Sequence, residues 1–129
     1  MVTRQAGAAS RKSIGEEAEA RALAHLLHHG LALVERNYRV ARGPGARGGE
    51  IDLILRERDG TLVFAEVRAR RGLSHGGAAA SVGAIKQQRL IFAAQHYLLR
   101  RQPPPPCRFD VIAIDGERIE WLKGAFDAA

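Results

Sequence analysis

Asp52, Glu66 and Arg68 are the residues of this chain whose types and spacing could do chemistry. They lie in GGEIDLILRERDGTLVFAEVRAR, a stretch with the alternation and apolar weight of two buried strands, where charge is costly. Two carboxylates facing each other in such a setting repel and lose hydration, so one takes up a proton or a cation compensates both. Oxygen-only ligands at this spacing suit a hard divalent ion, Mg2+ or Mn2+. Arg68 and Arg70 continue the face of Glu66 at the strand period of two. Phosphoryl-transfer chemistry uses that combination, a metal to activate water and cations to stabilise charge on the phosphate. The same spacing also fits a second arrangement, in which both acids stand in solvent at a sheet edge and pair with Arg68 or Arg70.

Whether the acids meet depends on the turn between the strands. A two-residue Asp59-Gly60 turn would pair Asp52 with Val67 and put the acids on opposite faces. A three-residue loop of Arg58, Asp59 and Gly60 pairs Glu57 with Thr61 and sets Asp52 across from Glu66. Facing Cβ atoms then lie about 4.5–5.5 Å apart. The second register is preferred, because Gly60 is the third loop residue, where a bulge of this kind needs a left-handed glycine. It puts Ile54, Leu62 and Phe64 on the acid face, and Ile51, Leu53, Leu55, Val63 and Val67 on the other. Both faces are apolar, so the sheet is expected to be covered on both sides.

The flanking sequence supplies the cover. Residues 1–12 read as a loose basic tail, and residues 13–129 as a single domain. Ser13, with Glu16 three positions on, reads as the capping box of a helix that stops near Gly30. Its apolar stripe is Ile14, Ala18, Ala22, Leu23, Leu26 and Leu27, and Glu19 projects toward the same side, as a candidate third ligand. LALVERNYRV has strand character, and ARGPGARGG is a Gly-rich basic loop. After RGLSHGGAAA, Ser81 is expected to cap a long helix that reaches about Arg101 and is stopped by PPPP. RFDVIAID and RIEWL form a last hairpin across Asp115-Gly116. The order α-β-β-β-α-β-β predicts an α/β fold, a mixed central sheet flanked by helices.

With 129 residues and 46% hydrophobic content, the chain has enough for one domain with a packed core. Its net charge of +6, supplied mostly by arginine, favours a polyanionic partner, nucleic acid first and anionic membrane second. Arg42, Arg47, Arg70 and Arg71, on or beside the loops next to the acids, are placed to hold phosphates. The single cysteine, Cys107, excludes an internal disulfide and any cysteine-based zinc site, and is expected to be buried filler. No apolar run approaches the ~20 residues that span a bilayer, and MVTRQAGAASRKS has no hydrophobic segment behind its bases. A cytoplasmic protein without a membrane partner is expected. His25 and His29 have metal-compatible spacing but no supporting cluster. No nucleophile elbow or phosphate-binding glycine motif occurs.

Gly15-x-x-Ala18-Glu19, NYR, GGEIDLI, LVFAEVRAR, KQQRL and RFDVIAI together resemble the YraN-like family of predicted endonucleases. That family is related to archaeal Holliday-junction resolvases and the PD-(D/E)XK nucleases, and the resemblance covers about residues 14 to 126. It implies a restriction-endonuclease-like core that hydrolyses DNA phosphodiesters, branched or structured DNA included, with Mg2+ or Mn2+ as cofactor. It assigns Asp52 and Glu66 to metal binding and catalysis, assisted by the backbone carbonyl of Val67, and matches Glu19 to the acid of the first helix. Lys86 and Gln87 match the start of the second helix, expected to face the nucleic acid. A homodimer is implied too, since resolvases cut as dimers, although no self-complementary surface is legible. One departure matters: the superfamily's third catalytic residue is normally lysine, and here it is Arg68. Lysine sheds a proton when desolvated, whereas arginine stays charged and can still stabilise a phosphate in transition. The alternative expectation is a non-catalytic nucleic-acid-binding module.

Overall fold

Gly60 fixes the central register. The structure, a computed structural model, describes residues 11–44, 48–69 and 82–128. Strands β2 (Gly49–Arg56) and β3 (Leu62–Ala69) are joined by the three-residue loop, with Gly60 at φ +94°. The Glu57 N–H donates to the Thr61 carbonyl at 2.9 Å and the Gly60 N–H to the Glu57 carbonyl at 3.0 Å. Leu53 then pairs with Ala65, Ile54 with Phe64 and Leu55 with Val63, the register expected from the glycine's position.

Strand β1 (Ala32–Val40) lies antiparallel to β2 on its other side. Helix α2 (Ala84–Leu98) carries the chain over to β4 (Cys107–Asp115), which runs parallel to β3. Strand β5 (Arg118–Phe126) closes the sheet antiparallel to β4, so the spatial order is β1-β2-β3-β4-β5. With α1 (Arg11–His28) the element order is α-β-β-β-α-β-β, the mixed α/β architecture expected.

Period-two alternation divides the core into two layers. Ile54, Leu62, Phe64, Phe109 and Val111 pack under α2 against Leu90, Ile91, Ala94 and Tyr97. Leu53, Leu55, Val63, Ala65 and Ile112 pack under α1 against Ala18, Ala22 and Leu26. Ile51 departs from expectation. It joins the α2 layer with Ile54 rather than the α1 layer with Leu53, because the alternation of β2 slips at Asp52.

Local signals explain most boundaries. The Gly30 N–H reaches Leu27 O at 3.0 Å and the Leu31 N–H reaches Leu26 O at 3.1 Å, the Schellman pattern that ends α1 at a left-handed glycine. Helix α1 is already formed at Arg11, so Ser13 lies inside it instead of capping it. Ile14 and Leu27, expected on the buried stripe, are largely exposed, since only Ala18, Ala22 and Leu26 point squarely at the sheet. Helix α2 is capped at Gly83 and ends at Leu98, short of Arg101, while Ser81 lies outside the described residues. Cys107 opens β4 as expected but is exposed, not buried filler. No helix among the described residues is long and apolar enough to cross a membrane.

Gly49 makes a different contribution. A Cβ there would sit 2.4 Å from the Arg89 carbonyl oxygen and 3.0 Å from the Ala93 Cβ, so α2 rests directly on the bare backbone of β2. At the far end of the sheet, buried Asp110 accepts from Arg108 Nε, Trp121 Nε1 (2.9 Å) and the Gly124 N–H (3.0 Å), while Arg108 also binds Glu57. This network ties β5 and the β2–β3 hairpin to β4, which gives the Asp of RFDVIAI a structural role.

Candidate active site

The β2–β3 ladder ends at the Leu53–Ala65 pair, and the next two facing residues are Asp52 and Glu66. Instead of a further backbone bond, Asp52 Oδ2 accepts from the Val67 N–H at 2.8 Å. In an extended strand the N–H and C=O of one residue point the same way, so the Val67 carbonyl also faces β2 beyond the ladder's end. On β1 the residue level with Asp52 is Asn37, between the Arg36–Leu53 and Tyr38–Ile51 pairs. Asn37 has φ +53°, a left-handed conformation that asparagine tolerates better than most residues. Regular pairing therefore breaks at one level across β1, β2 and β3, around the acids.

Glu66 is 2% exposed. Its Oε2 is 3.3 Å from Lys86 Nζ and 3.8 Å from Arg68 Nη1, and its Oε1 is buried without a hydrogen-bond donor among the described residues. Burial first, and then repulsion from Asp52, pushes the Glu66 carboxyl up to about 8, against the pull of Lys86. Burial also raises Asp52, opposed by the Val67 N–H. The two carboxyls lie within hydrogen-bonding reach of each other, so they can share a proton. Glu19 is half-buried on α1. It is raised by burial and then by Asp52, and lowered by Arg36 and by a hydrogen bond with the Asn37 side chain. Asn37 thus binds Glu19 from the position on β1 level with Asp52.

Among the described residues, no three His, Cys, Asp or Glu side chains converge as a ready-made metal cage. The donor set at the pair nevertheless fits one hard cation: two carboxylates, one of whose oxygens has no donor among the described residues. A fuller shell would draw on Glu19 and the Val67 carbonyl.

Residues 18–114, which include Glu19, Asp52, Glu66 and Lys86, match the family described as uncharacterised protein family UPF0102. The chain belongs to that family. It is 67% identical to a UPF0102 protein of Methylibium petroleiphilum, over 92% of this chain and 97% of the relative. It is 62% identical to one of Acidovorax sp., covering 99% and 95%, and 56% identical to one of Cupriavidus taiwanensis, covering 92% and 86%.

In this UPF0102 chain the other expected site residues are less tightly gathered. Arg68 follows Glu66 on β3 and is one-third exposed. Gln87 turns back, donating from Nε2 to the Val82 carbonyl at 2.9 Å, so its amide serves the start of α2. Arg42 lies over the Phe92 ring at 4.8 Å. Arg47, Arg70 and Arg71 lie outside the described residues. His25 and His29 pack their rings with Trp121 and recruit no third ligand among the described residues.

Three residues emerge that the sequence did not single out. Arg39, Glu50 and Arg89 line a groove of about 680 Å³ together with Arg42 and Gly48. Glu50 holds both Arg39 and Arg89 at 3.6 Å, and it stands two residues before Asp52, so the groove begins next to the acids. The pairing of Arg39 with Glu50 across β1 and β2 was legible in principle from strand register. The approach of Lys86 to Glu66 was not, because it depends on how α2 seats on the sheet.

Proposed function

We propose that this UPF0102 protein is a metal-dependent endonuclease that hydrolyses DNA phosphodiester bonds, branched or structured DNA included. The observation that carries this reading is the acid pair: two carboxyls on neighbouring strands, largely buried and within hydrogen-bonding reach of each other, with one Glu66 oxygen lacking a donor among the described residues. A purely structural ion pair has no need to bury two like charges together. The resemblance to resolvase-like nucleases and the order of the elements agree with a restriction-endonuclease-like core.

Asp52 and Glu66 would hold Mg2+ or Mn2+, with Glu19 and the Val67 carbonyl completing the shell. When bound, the ion supplies Lewis-acid activation of the attacking water. The protein's own groups do the rest. The Val67 N–H orients the Asp52 carboxylate. Arg68 offers fixed charge to the phosphate in transition, while Arg39, Arg42 and Arg89 hold neighbouring phosphates in the groove. In the reaction a water oxygen bonds to phosphorus as the bond to the leaving ester oxygen breaks. The water gives up a proton to solvent and the leaving oxygen gains one, so the products are a phosphate monoester and a hydroxyl.

Purified protein incubated with single-stranded, duplex and four-way-junction DNA in Mg2+ or Mn2+ tests the reading. Cleavage that Asp52→Ala abolishes is expected; cleavage that survives this change is contamination. The second reading is a nucleic-acid-binding module without chemistry, favoured by Arg68 in the lysine position and by the ion pairs Glu66 already makes. It predicts DNA affinity that falls steeply with salt and needs no divalent ion.

A further inference from the structure

We infer that Lys86 on α2 supplies the catalytic lysine that β3, which carries Arg68 instead, lacks, contributing positive charge to the scissile phosphate from a different element of the fold. The inference rests on the nuclease reading above. Of the two cations beside Glu66, Lys86 is the closer, at 3.3 Å against 3.8 Å for Arg68. Its field reaches Asp52 as well, so it serves both acids rather than one. Lys86 lies in the first turn of α2, a turn without an acidic residue, so nothing on its own helix offsets the charge. Its side chain is 30% exposed, so the ammonium bridges the buried carboxylate and the solvent side from which a DNA backbone must arrive.

The seating of α2 makes the position dependable. The helix rests on Gly49 at backbone contact, and Gly49 is three residues from Asp52 on the same strand. Lys86 is therefore delivered by a rigid element fixed to the strand that carries one of the acids. Arg68 is tied to the backbone of the strand that carries the other. A compact ammonium on a four-carbon stem can move from Glu66 Oε2 to a phosphate oxygen by side-chain rotation alone, whereas a planar guanidinium two residues along the strand has fewer such orientations. Positive charge aimed at a phosphate in a water-poor site is worth far more there than on an open surface.

The test compares the full chain with Lys86→Met, with Lys86→Met/Arg68→Lys, and with Asp52→Ala as the background control. Cleavage of junction and duplex DNA is measured in Mg2+ and Mn2+, and affinity for the same DNA by fluorescence anisotropy without divalent ions. Lys86→Met is expected to lower the cleavage rate at saturating DNA by about a hundredfold while changing affinity by less than about threefold. Returning a lysine to the strand in the double variant is expected to recover at least a tenfold part of that loss. The double variant retains a cation beside Glu66, so it carries the test even if the single variant folds poorly. Asp52-dependent cleavage that Lys86→Met leaves within about twofold overturns the assignment and spares the nuclease reading. A loss of affinity in step with the loss of rate overturns it too, because Lys86 is then only a phosphate grip. If the unaltered protein shows no Asp52-dependent cleavage, the nuclease reading falls and the assignment falls with it.

Discussion

Replacing Glu66 with Gln removes one of two ionisable carboxyls from a largely buried site while keeping the side chain's shape. Its effect on stability follows from the proton Glu66 holds. An ordinary glutamate titrates near 4.5, and here the folded protein holds the carboxyl up to about 8. Between those values the unfolded chain has lost the proton and the folded chain keeps it, so stability falls as pH rises through the window. The slope is about 1.4 kcal/mol per pH unit for one fully coupled group. From 4.5 to neutral pH that amounts to on the order of 3 kcal/mol, less whatever the ion pair with Lys86 returns. Gln at 66 has no such dependence. Glu66→Gln is therefore more stable than the unaltered protein at pH 7 by up to about 3 kcal/mol, or roughly 10 °C in Tm for a domain of this size. The gain shrinks to nothing near pH 4, where both folded and unfolded chains are protonated. Urea unfolding of both proteins in EDTA across pH 4 to 8.5 measures it. A variant less stable at pH 7, or a difference flat with pH, would refute the reasoning. Glu66 would then be a charged partner to Lys86 and Arg68, and the acid pair a structural ion cluster.

Three further outcomes are expected. Mg2+ or Mn2+ in excess raises the Tm of the unaltered protein at pH 8, by about 2.7 kcal/mol equivalent at a hundredfold excess over Kd, and leaves Asp52→Asn unmoved in a thermal-shift assay. Gly49→Ala, whose new methyl meets the Arg89 carbonyl at 2.4 Å, destabilises by about 1–3 kcal/mol in chemical unfolding, because α2 must lift from β2. Arg39→Ala and Arg89→Ala each weaken DNA binding across sequences and reduce the slope of log affinity against log salt by about 1, read by anisotropy titrations at several salt concentrations.

The register of the two central strands was legible because one glycine decided it: Gly60 as third loop residue forces the pairing that sets Asp52 across from Glu66. The covered sheet and the order of elements followed from alternation and from the breaks at Gly30 and PPPP. What stayed hidden depended on long-range geometry. Ile51 changes layers because β2 loses its alternation beside Asn37, whose left-handed backbone leaves only a faint trace in the sequence. Cys107 is exposed although it opens a strand of apolar residues, since only the central part of β4 is covered. Lys86 reaches Glu66 from twenty positions along the chain, a distance set by helix packing and not by any local pattern.

The bare backbone of Gly49 under α2 has a mechanical implication. Helix and strand β2 are seated without slack, so Lys86 and Asp52 travel as one body, while Arg68 and Glu66 travel together on β3. Sliding those two bodies past each other by an ångström would stretch the Lys86–Glu66 bridge and leave the Arg68–Glu66 pair intact. The alignment of the halves is thus registered at the sheet's end in the Lys86–Glu66 bridge and the Asp52–Val67 hydrogen bond, where distortion along the β2–β3 seam would be felt.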